Sequence, residues 1–309
     1  MDLLHNLLNI VLLPLTLTVL FLFTPPFLFL KFLWSLKRSI YFENAADKVI
    51  LITRASSGIG KHVAYENAKR GARLALVARR EDCLRVVANK ARKLGSPEVI
   101  VLCADVSKVE ECKRFVDEAV SHFGRLDHLV NNAGILQLHC LFEDFTQLFD
   151  IASVMDINFW GSMYSTHYAV PHLRKRKVKV VVIASTGAWL STPRFSFYNA
   201  SKTALISFFE TLRTEFGQDI GITIVNPGVI ESEMTQSDYL SETQADWFPS
   251  ETTKGCAKAV LDSACNGDMY LTEPSWMKAG FWAKTLCFEV FEWCLHSLLV
   301  SRPRSSKKD

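Results

Sequence analysis

The chain has 309 residues, of which 49% are hydrophobic, with 35 Lys and Arg residues against 32 Asp and Glu residues. This length is enough to bury a large core, and α/β domains often reach it as a single unit. The nearly balanced charge argues against nucleic acid as a partner. The eight cysteines include no Cys-x-x-Cys pair. We therefore expect reduced thiols in a cytosol-facing domain, with no disulfide framework and no metal site.

The chain starts with an apolar stretch, Leu3 to Leu30, that contains no Asp, Glu, Lys or Arg. As one helix it would measure about 42 Å, more than the roughly 30 Å of a hydrocarbon core. Interior prolines at positions 14, 25 and 26 leave two alternatives, because proline kinks or ends a helix. One is a single tilted anchor with Lys37 and Arg38 on the cytosolic side, and the other is a proline-bent hairpin. Without an n-region charge or a small-residue cleavage site, we expect a signal-anchor that is retained.

Strands alternate with helices after this stretch. The predicted strands are Val49 to Ile52, Arg73 to Ala78, Val99 to Cys103, Leu129 to Val130, Val178 to Ala184 and Ile222 to Val225. The alternation predicts an α/β fold, a Rossmann-type doubly wound parallel sheet that is covered on both faces. We expect an anchor at 1–36, a linker at 37–47, a single domain at 48–274, and an amphipathic segment with a polar tail at 275–309.

The densest group of reactive side chains lies between Ser185 and Lys202. Ser185 follows a predicted strand, and open α/β sheets place their chemistry at the carboxyl ends of strands. Tyr198 and Lys202 are four residues apart, so on a helix they share one face. A hydroxyl, a phenol and an ammonium group that converge at this edge indicate proton transfer to or from a carbonyl or an alcohol.

A glycine-bearing turn, Thr53-Arg-Ala-Ser-Ser-Gly-Ile-Gly60, joins the first strand to the first predicted helix. In this context, backbone N–H groups at the start of the helix hold a pyrophosphate with the help of the helix dipole. Gly58 and Gly60 fit that role, and an ordinary tight turn is the alternative.

Six motifs follow one another along the chain. They are Thr-x-x-x-x-Gly-x-Gly from Thr53, Asn131-Asn-Ala-Gly134, Asn158, Ser185, Tyr198-x-x-x-Lys202 and Pro227-Gly228. Over about residues 48 to 270 this set resembles the short-chain dehydrogenase/reductase family, an enzyme family that transfers hydride with a nicotinamide cofactor.

The resemblance implies a role for each residue of the catalytic set. Tyr198 would be the acid/base that protonates a carbonyl oxygen or accepts the alcohol proton. Lys202 would lower the tyrosine pKa by its charge and hold the nicotinamide ribose. Ser185 would hydrogen-bond the substrate oxygen beside Tyr198, and Asn158 would position a water in the proton relay.

The resemblance also implies a cofactor surface. Asp105 would read the adenine amine, the loop from Asn131 would lie beside the riboses, and Pro227 would begin the nicotinamide wall. The full set is Thr53, Arg54, Ser56, Ser57, Gly58, Ile59, Gly60, Arg79, Asp105, Asn131, Asn132, Ala133, Gly134, Tyr198, Lys202, Pro227, Gly228 and Val229. Hydride chemistry belongs to the cofactor, and the protein supplies position and a proton.

Two arginine positions bear on the cofactor. The second strand is followed by Arg79 and Arg80, where a carboxylate would favour a free ribose 2′-hydroxyl and arginine suits a 2′-phosphate. This favours NADP, with a solvated helix start as the alternative. Arg54 stands where the family's turn normally carries glycine. It would strain the turn or block the adenosine ribose, or it would reach the 2′-phosphate, and we expect weakened cofactor affinity.

Over nearly its whole length the chain also resembles the plant steroleosins, the oil-body members of the 11-beta-hydroxysteroid dehydrogenase-like group. The three prolines of the apolar stretch resemble the steroleosin proline knob, and Asn158-Phe-Trp-Gly161 and Thr272-Glu-Pro-Ser-Trp276 resemble local sequence of that group. The resemblance implies an NADP-dependent enzyme of steroid metabolism and lipid biosynthesis that acts on the CH–OH or keto group of a sterol-like lipid. It also implies a lipid-droplet or endoplasmic-reticulum membrane, with the catalytic domain facing the cytosol.

Several expectations concern the outer parts of the domain. Family members pair through the long helices around Ile151 to Leu173 and Tyr198 to Phe216, which implies a homodimer. The substrate flap, Thr235 to Pro249, is short. Trp276 to Val300 is either a core-packing or dimer helix, or an amphipathic membrane-surface segment or substrate lid. The alternative function is a catalytically weak, sterol-binding protein of the lipid-droplet surface.

Overall fold

The structure is a computed structural model that describes residues 2–40, 43–136, 141–145, 149–174, 178–233 and 249–300. The chain divides into two compact units, Met1–Glu43 and Asn44–Asp309. The predicted substrate flap lies outside the described residues, apart from Pro249.

The first unit is an α-helix, α1, Asp2–Ile40, and all three prolines of the apolar stretch lie inside it. Of the two alternatives above, the structure therefore favours a single helix, and the expected break at proline does not occur. The hydroxyls of Thr16 and Thr18 donate to carbonyls four residues earlier, at 2.7 and 2.8 Å, so these polar groups are satisfied within the helix. By length and composition alone, Leu4–Leu30 is able to cross a membrane.

The second unit is built on a parallel sheet, as predicted. Its strands are β1 Val49–Thr53, β2 Arg73–Ala78, β3 Val99–Cys103, β4 His128–Asn131, β5 Val178–Ile183, β6 Ile220–Pro227, β7 Ile230–Glu231, β8 Glu251–Thr252 and β9 Tyr270–Glu273. Seven strands form the main sheet in the order β3-β2-β1-β4-β5-β6-β9, and β7 pairs with β8. The order reverses between β1 and β4, where open sheets of this kind bind ligands at the strands' carboxyl ends.

Helices cover both faces of the sheet. They are α2 Gly58–Lys69, α3 Glu81–Lys93, α4 Val109–Phe123, α5 Phe149–Met155, α6 Gly161–Leu173, α7 Gly187–Leu190, α8 Ser196–Phe216, α9 Thr253–Asn266, α10 Lys278–Leu286 and α11 Phe288–Leu299. A π-helical turn, Asp156–Trp160, interrupts the long helix predicted over Ile151 to Leu173. Short 3₁₀ turns occur at Phe142–Asp144 and Ser275–Met277.

The core forms two layers, one on each side of the sheet. Successive side chains of β1 alternate between them: Val49 and Leu51 pack in the layer that contains Phe115, and Ile50 and Ile52 pack in the other. This follows from the two-residue period of a strand. Because both faces are covered, the strands are nearly continuous apolar runs, and polar residues gather where the strands end.

Candidate active site

The turn between β1 and α2 forms one side of the site. Arg54 has a φ of 50° and Gly58 a φ of 54°, both in the left-handed region that favours glycine. A Cβ on Gly60 would lie 2.7 Å from the carbonyl oxygen of Arg54 and closer still to the Asn132 amide nitrogen, so this position accepts only glycine without rearrangement. Ser57 precedes α2 and makes no side-chain cap. The first N–H groups of α2 therefore remain for an anion.

Thr53 ties the ends of β1 and β4 together beneath the cleft. Its hydroxyl accepts from the backbone N–H groups of Asn132 and Ala133 at 3.0 and 3.1 Å and donates to the Val130 carbonyl at 3.3 Å. The Asn132 amide donates in return to the Thr53 carbonyl at 3.0 Å. Thr53 is 1% exposed, so these hydrogen bonds hold the two strand ends together inside the protein.

Ser185, Tyr198 and Lys202 form the opposite side. Ser185 follows β5, and its hydroxyl accepts from the Gly187 N–H at 3.1 Å and bonds with the Tyr198 hydroxyl. Tyr198 and Lys202 lie one turn apart on α8, with the Lys202 Nζ atom 5.8 Å from the centre of the Tyr198 ring. That Nζ atom donates to the Ile183 carbonyl at 2.8 Å. The predicted trio is thus together, held by β5 and α8.

Burial sets the electrostatics of this trio. It raises the pKa of Tyr198, and the hydrogen bond with Ser185 and the charge of Arg54 work in the opposite direction. Burial also lowers the pKa of Lys202 to about 7, with a smaller contribution from the charge of Arg54. The expectation that the charge of Lys202 lowers the pKa of Tyr198 stays a prediction.

Asn158 connects the two sides of the site through buried hydrogen bonds. It lies fully buried in the π-helical turn, where its Oδ1 atom accepts from the Ile135 N–H at 2.8 Å. Its Nδ2 atom donates to the Ile135 carbonyl at 3.0 Å and to the Ser201 hydroxyl at 2.9 Å. The Ser201 hydroxyl donates to the Tyr198 carbonyl at 2.7 Å. These bonds join the loop after β4 to α8, and the water-positioning role of Asn158 stays a prediction.

The two sides enclose one cleft. Predicted residues that line it are Arg54, Ser57, Gly58, Ile59, Asn132, Gly134, Ser185, Tyr198, Lys202, Pro227, Gly228 and Val229. Predicted residues that do not line it are Thr53, Ser56, Gly60, Arg79, Asp105, Asn131, Ala133 and Asn158. Asn131, for example, is 1% exposed and donates to the Thr166 hydroxyl at 2.8 Å, so it holds β4 against α6.

Sequence reasoning missed several lining residues. They are Leu136, Ile183, Ala184, Ile230, Ser232 and Glu233. Each of them lies within a few positions of a predicted motif residue. Including the residues next to each motif at the end of its strand would have found them.

Charged side chains surround the carboxyl end of β2. Arg79 lies 3.9 Å from the Asp105 carboxylate, and Arg80 lies 3.1 Å from that of Glu233. Asp105 accepts from the N–H and hydroxyl of Ser107 at 3.0 and 2.8 Å. Burial alone would raise the pKa of Asp105, but the Ser107 bonds and the Arg79 charge lower it. The two arginines are 66% and 57% exposed, so both guanidinium groups are accessible to an anion.

These features fit a dinucleotide. The open N-terminus of α2 suits a pyrophosphate, the close approach at Gly60 is the reason for glycine in such a turn, and cations flank the end of β2. A hydroxyl, a phenol and an ammonium group lie in the same cleft. The fold and site together define a dinucleotide-binding α/β protein of the oxidoreductase type.

Comparison with known proteins gives the family. The short chain dehydrogenase family model matches residues 48–243. The chain is 52% identical to 11-beta-hydroxysteroid dehydrogenase-like 3 of Arabidopsis thaliana, over 97% of both proteins. It is 46% identical to 11-beta-hydroxysteroid dehydrogenase A of Sesamum indicum, over 100% of this chain and 92% of the relative. The chain therefore belongs to the short chain dehydrogenase family of oxidoreductases, whose sheet binds a nicotinamide nucleotide.

Proposed function

We propose that the chain is a membrane-anchored, NADP-dependent hydroxysteroid dehydrogenase. It would transfer hydride between NADP(H) and a hydroxyl or keto group of a sterol-like lipid. The observation that carries this proposal is that Ser185, Tyr198 and Lys202 line the same cleft as the glycine turn. The names of the relatives support the substrate class, since both describe hydroxysteroid dehydrogenases.

In the proposed mechanism, Tyr198 Oη gives its proton to the substrate carbonyl oxygen, or accepts the alcohol proton in the reverse direction. Ser185 Oγ holds the same oxygen, because the two hydroxyls already lie within hydrogen-bond distance of one another. Burial raises the pKa of Tyr198, which keeps the phenol protonated and ready to donate. Lys202, with a pKa of about 7, exchanges protons readily at neutral pH and is suited to reprotonate the phenol. The bound nicotinamide supplies or accepts the hydride.

Selection of NADP over NAD is assigned to Arg79, with Arg80 beside it. Both follow β2, the strand whose end meets the adenosine ribose in dinucleotide-binding sheets. Replacing Arg79 with Ala is expected to weaken NADPH binding about tenfold, since a charge-assisted bond to phosphate is lost, and to leave NADH binding unchanged.

The proposal extends to location and assembly. Leu4–Leu30 would anchor the chain in the membrane or in a lipid-droplet monolayer, with the catalytic domain on the cytosolic side. The proposed divisions are an anchor at 1–36, a linker at 37–47, the catalytic domain at 48–274 and a C-terminal segment at 275–309. Homodimers would form through the helices around α6 and α8.

The test uses detergent-solubilised full-length protein. Fluorescence titration with NADPH and NADH comes first, and NADPH oxidation with a panel of ketosteroids and matched aliphatic ketones follows. We expect tighter binding of NADPH than of NADH, and turnover only with the steroids. Binding of neither nucleotide would refute the proposed activity.

A second candidate is a sterol-binding surface protein that does not turn over. One observation favours it: the guanidinium of Arg54 lies in the cofactor cleft and bonds to the Gly134 carbonyl at 2.5 Å. Sterol binding in equilibrium dialysis, together with no nucleotide binding in the titration above, would select this candidate.

A further inference from the structure

Arg54 spans the cleft that the proposed function assigns to the cofactor. The residue follows β1, and its Nη1 atom donates to the carbonyl oxygen of Gly134, which follows β4, at 2.5 Å. These strands are neighbours at the point where the strand order reverses. The side chain therefore crosses between two strand ends at the position where sheets of this kind hold their ligands.

The contact lies close to the reactive side chains. A Cβ placed on Gly134 would be 3.2 Å from the Lys202 Nζ atom and 3.4 Å from the Asn158 Oδ1 atom. The charge of Arg54 also acts on both Tyr198 and Lys202. Arg54 lines the same cleft as the N-terminus of α2 and Tyr198, so its guanidinium lies in the space that a dinucleotide bound along this cleft would need.

Several unfavourable features accompany this arrangement. An L-residue at a φ of 50° is strained, and Arg54 is partly buried. The nearby charges of Arg79 and Arg80 repel it, and that of Glu233 attracts it. Among the described residues its side chain makes a hydrogen bond only to Gly134, although a guanidinium has five donors. The group is a partly buried cation with spare donors in a cleft that fits an anionic ligand.

We propose that Arg54 is a strap that the dinucleotide displaces from Gly134, and that the released guanidinium pairs with the adenosine 2′-phosphate. Arg54 would then be a specificity-determining residue. NADPH would recover the cost of displacement through the new ion pair, whereas NADH would not. The 2′-phosphate is the phosphate in question because Arg54 follows β1 and Arg79 follows β2, two neighbouring parallel strands on which Thr53 lies opposite Val77. This inference rests on the proposed function.

The test measures binding, without turnover, on detergent-solubilised full-length protein. Arg54→Gly removes both the strap and the strain, and Arg54→Asn removes the strap with a residue that tolerates a left-handed backbone. Arg194→Gly is the matched control, because Arg194 also has a positive φ, of 72°, and does not line the cleft. The ligands are NADPH and NADH, and the fragments 2′,5′-ADP and 5′-ADP, measured by calorimetry.

Both Arg54 variants are expected to bind NADH and 5′-ADP about tenfold more tightly, while NADPH and 2′,5′-ADP change less than about threefold. The preference for the phosphorylated ligands would fall about tenfold, and Arg194→Gly would retain it. An unchanged preference in both Arg54 variants would overturn the inference and leave the proposed function intact. Failure of the wild-type protein and the Arg54 variants to bind any nucleotide would overturn both.

Discussion

The two sides of the cleft differ in how closely they match the residue pattern that the resemblance predicts. On the side formed by β5 and α8, Lys202 is held by Ile183 and the backbone of Tyr198 by Ser201, and every expected side chain is present. On the side formed by the β1–α2 turn, Arg54 stands where the resemblance implies a glycine, has a left-handed backbone and reaches across to the Gly134 carbonyl. The comparison indicates that the residues proposed for proton transfer lie together, and that the expected departure from the family pattern lies beside the proposed cofactor site.

The largest effect is expected from Tyr198→Phe. Loss of the phenolic hydroxyl removes the proposed proton donor, so steroid-dependent NADPH oxidation should fall at least about 100-fold. NADPH binding should change less than about twofold, because the ring remains. Tyr164→Phe is the control, since Tyr164 stacks on Trp160 and does not line the cleft. Steroid turnover that survives Tyr198→Phe would contradict the proton-donor role proposed for Tyr198.

Gly60→Ala tests whether the close packing of the β1–α2 turn matters, without changing the side chain of Arg54. The added Cβ would lie 2.7 Å from the Arg54 carbonyl oxygen, and we expect a loss of about 2 kcal/mol in unfolding free energy. NADPH binding should weaken as the turn shifts. Gly124→Ala is the control: its φ of 71° makes an Ala there strained by about 1 kcal/mol, but its Cβ would meet open space. Denaturant unfolding and nucleotide titration measure both variants, and equal losses of NADPH binding would contradict the predicted clash.

The smallest effect is expected from Lys202→Met, which should change how the free energy of unfolding depends on pH. The pKa of Lys202 is about 7 in the fold and 10.5 for an ordinary lysine, so between these values the unfolded chain binds a proton that the folded chain has released. Stability from this group therefore rises with pH, by up to about 1.4 kcal/mol per pH unit. Between pH 7 and 8.5 the wild-type protein should gain stability relative to Lys202→Met.

Denaturant unfolding at three pH values measures this difference. Lys69→Met, at the exposed end of α2, is the control and should retain the wild-type rise. Parallel curves for the wild-type protein and Lys202→Met would mean that Lys202 stays charged in the fold. The cation acting on Tyr198 would then be Lys202 as well as Arg54.

The sequence by itself determined the order of the elements and the position of the site along the chain. Apolar runs such as Val178 to Ala184 predict buried strands from local composition, and strand β5, Val178–Ile183, follows that prediction closely. The glycines of the first turn and the Tyr198–Lys202 spacing also depend on local geometry, which neighbouring residues control. A parallel sheet then brings these motifs to one edge, because all its strands end on the same side.

The tertiary structure alone decided what each polar residue does. Nothing near Thr53 or Asn131 in sequence indicates that their side chains tie strands together beneath the cleft, because their partners lie 35 or more positions away. The pKa of Lys202 near 7 comes from burial, which depends on the whole packed domain. The bond between Arg54 and Gly134 joins residues 80 positions apart, and its formation depends on β1 and β4 being neighbours in the folded sheet.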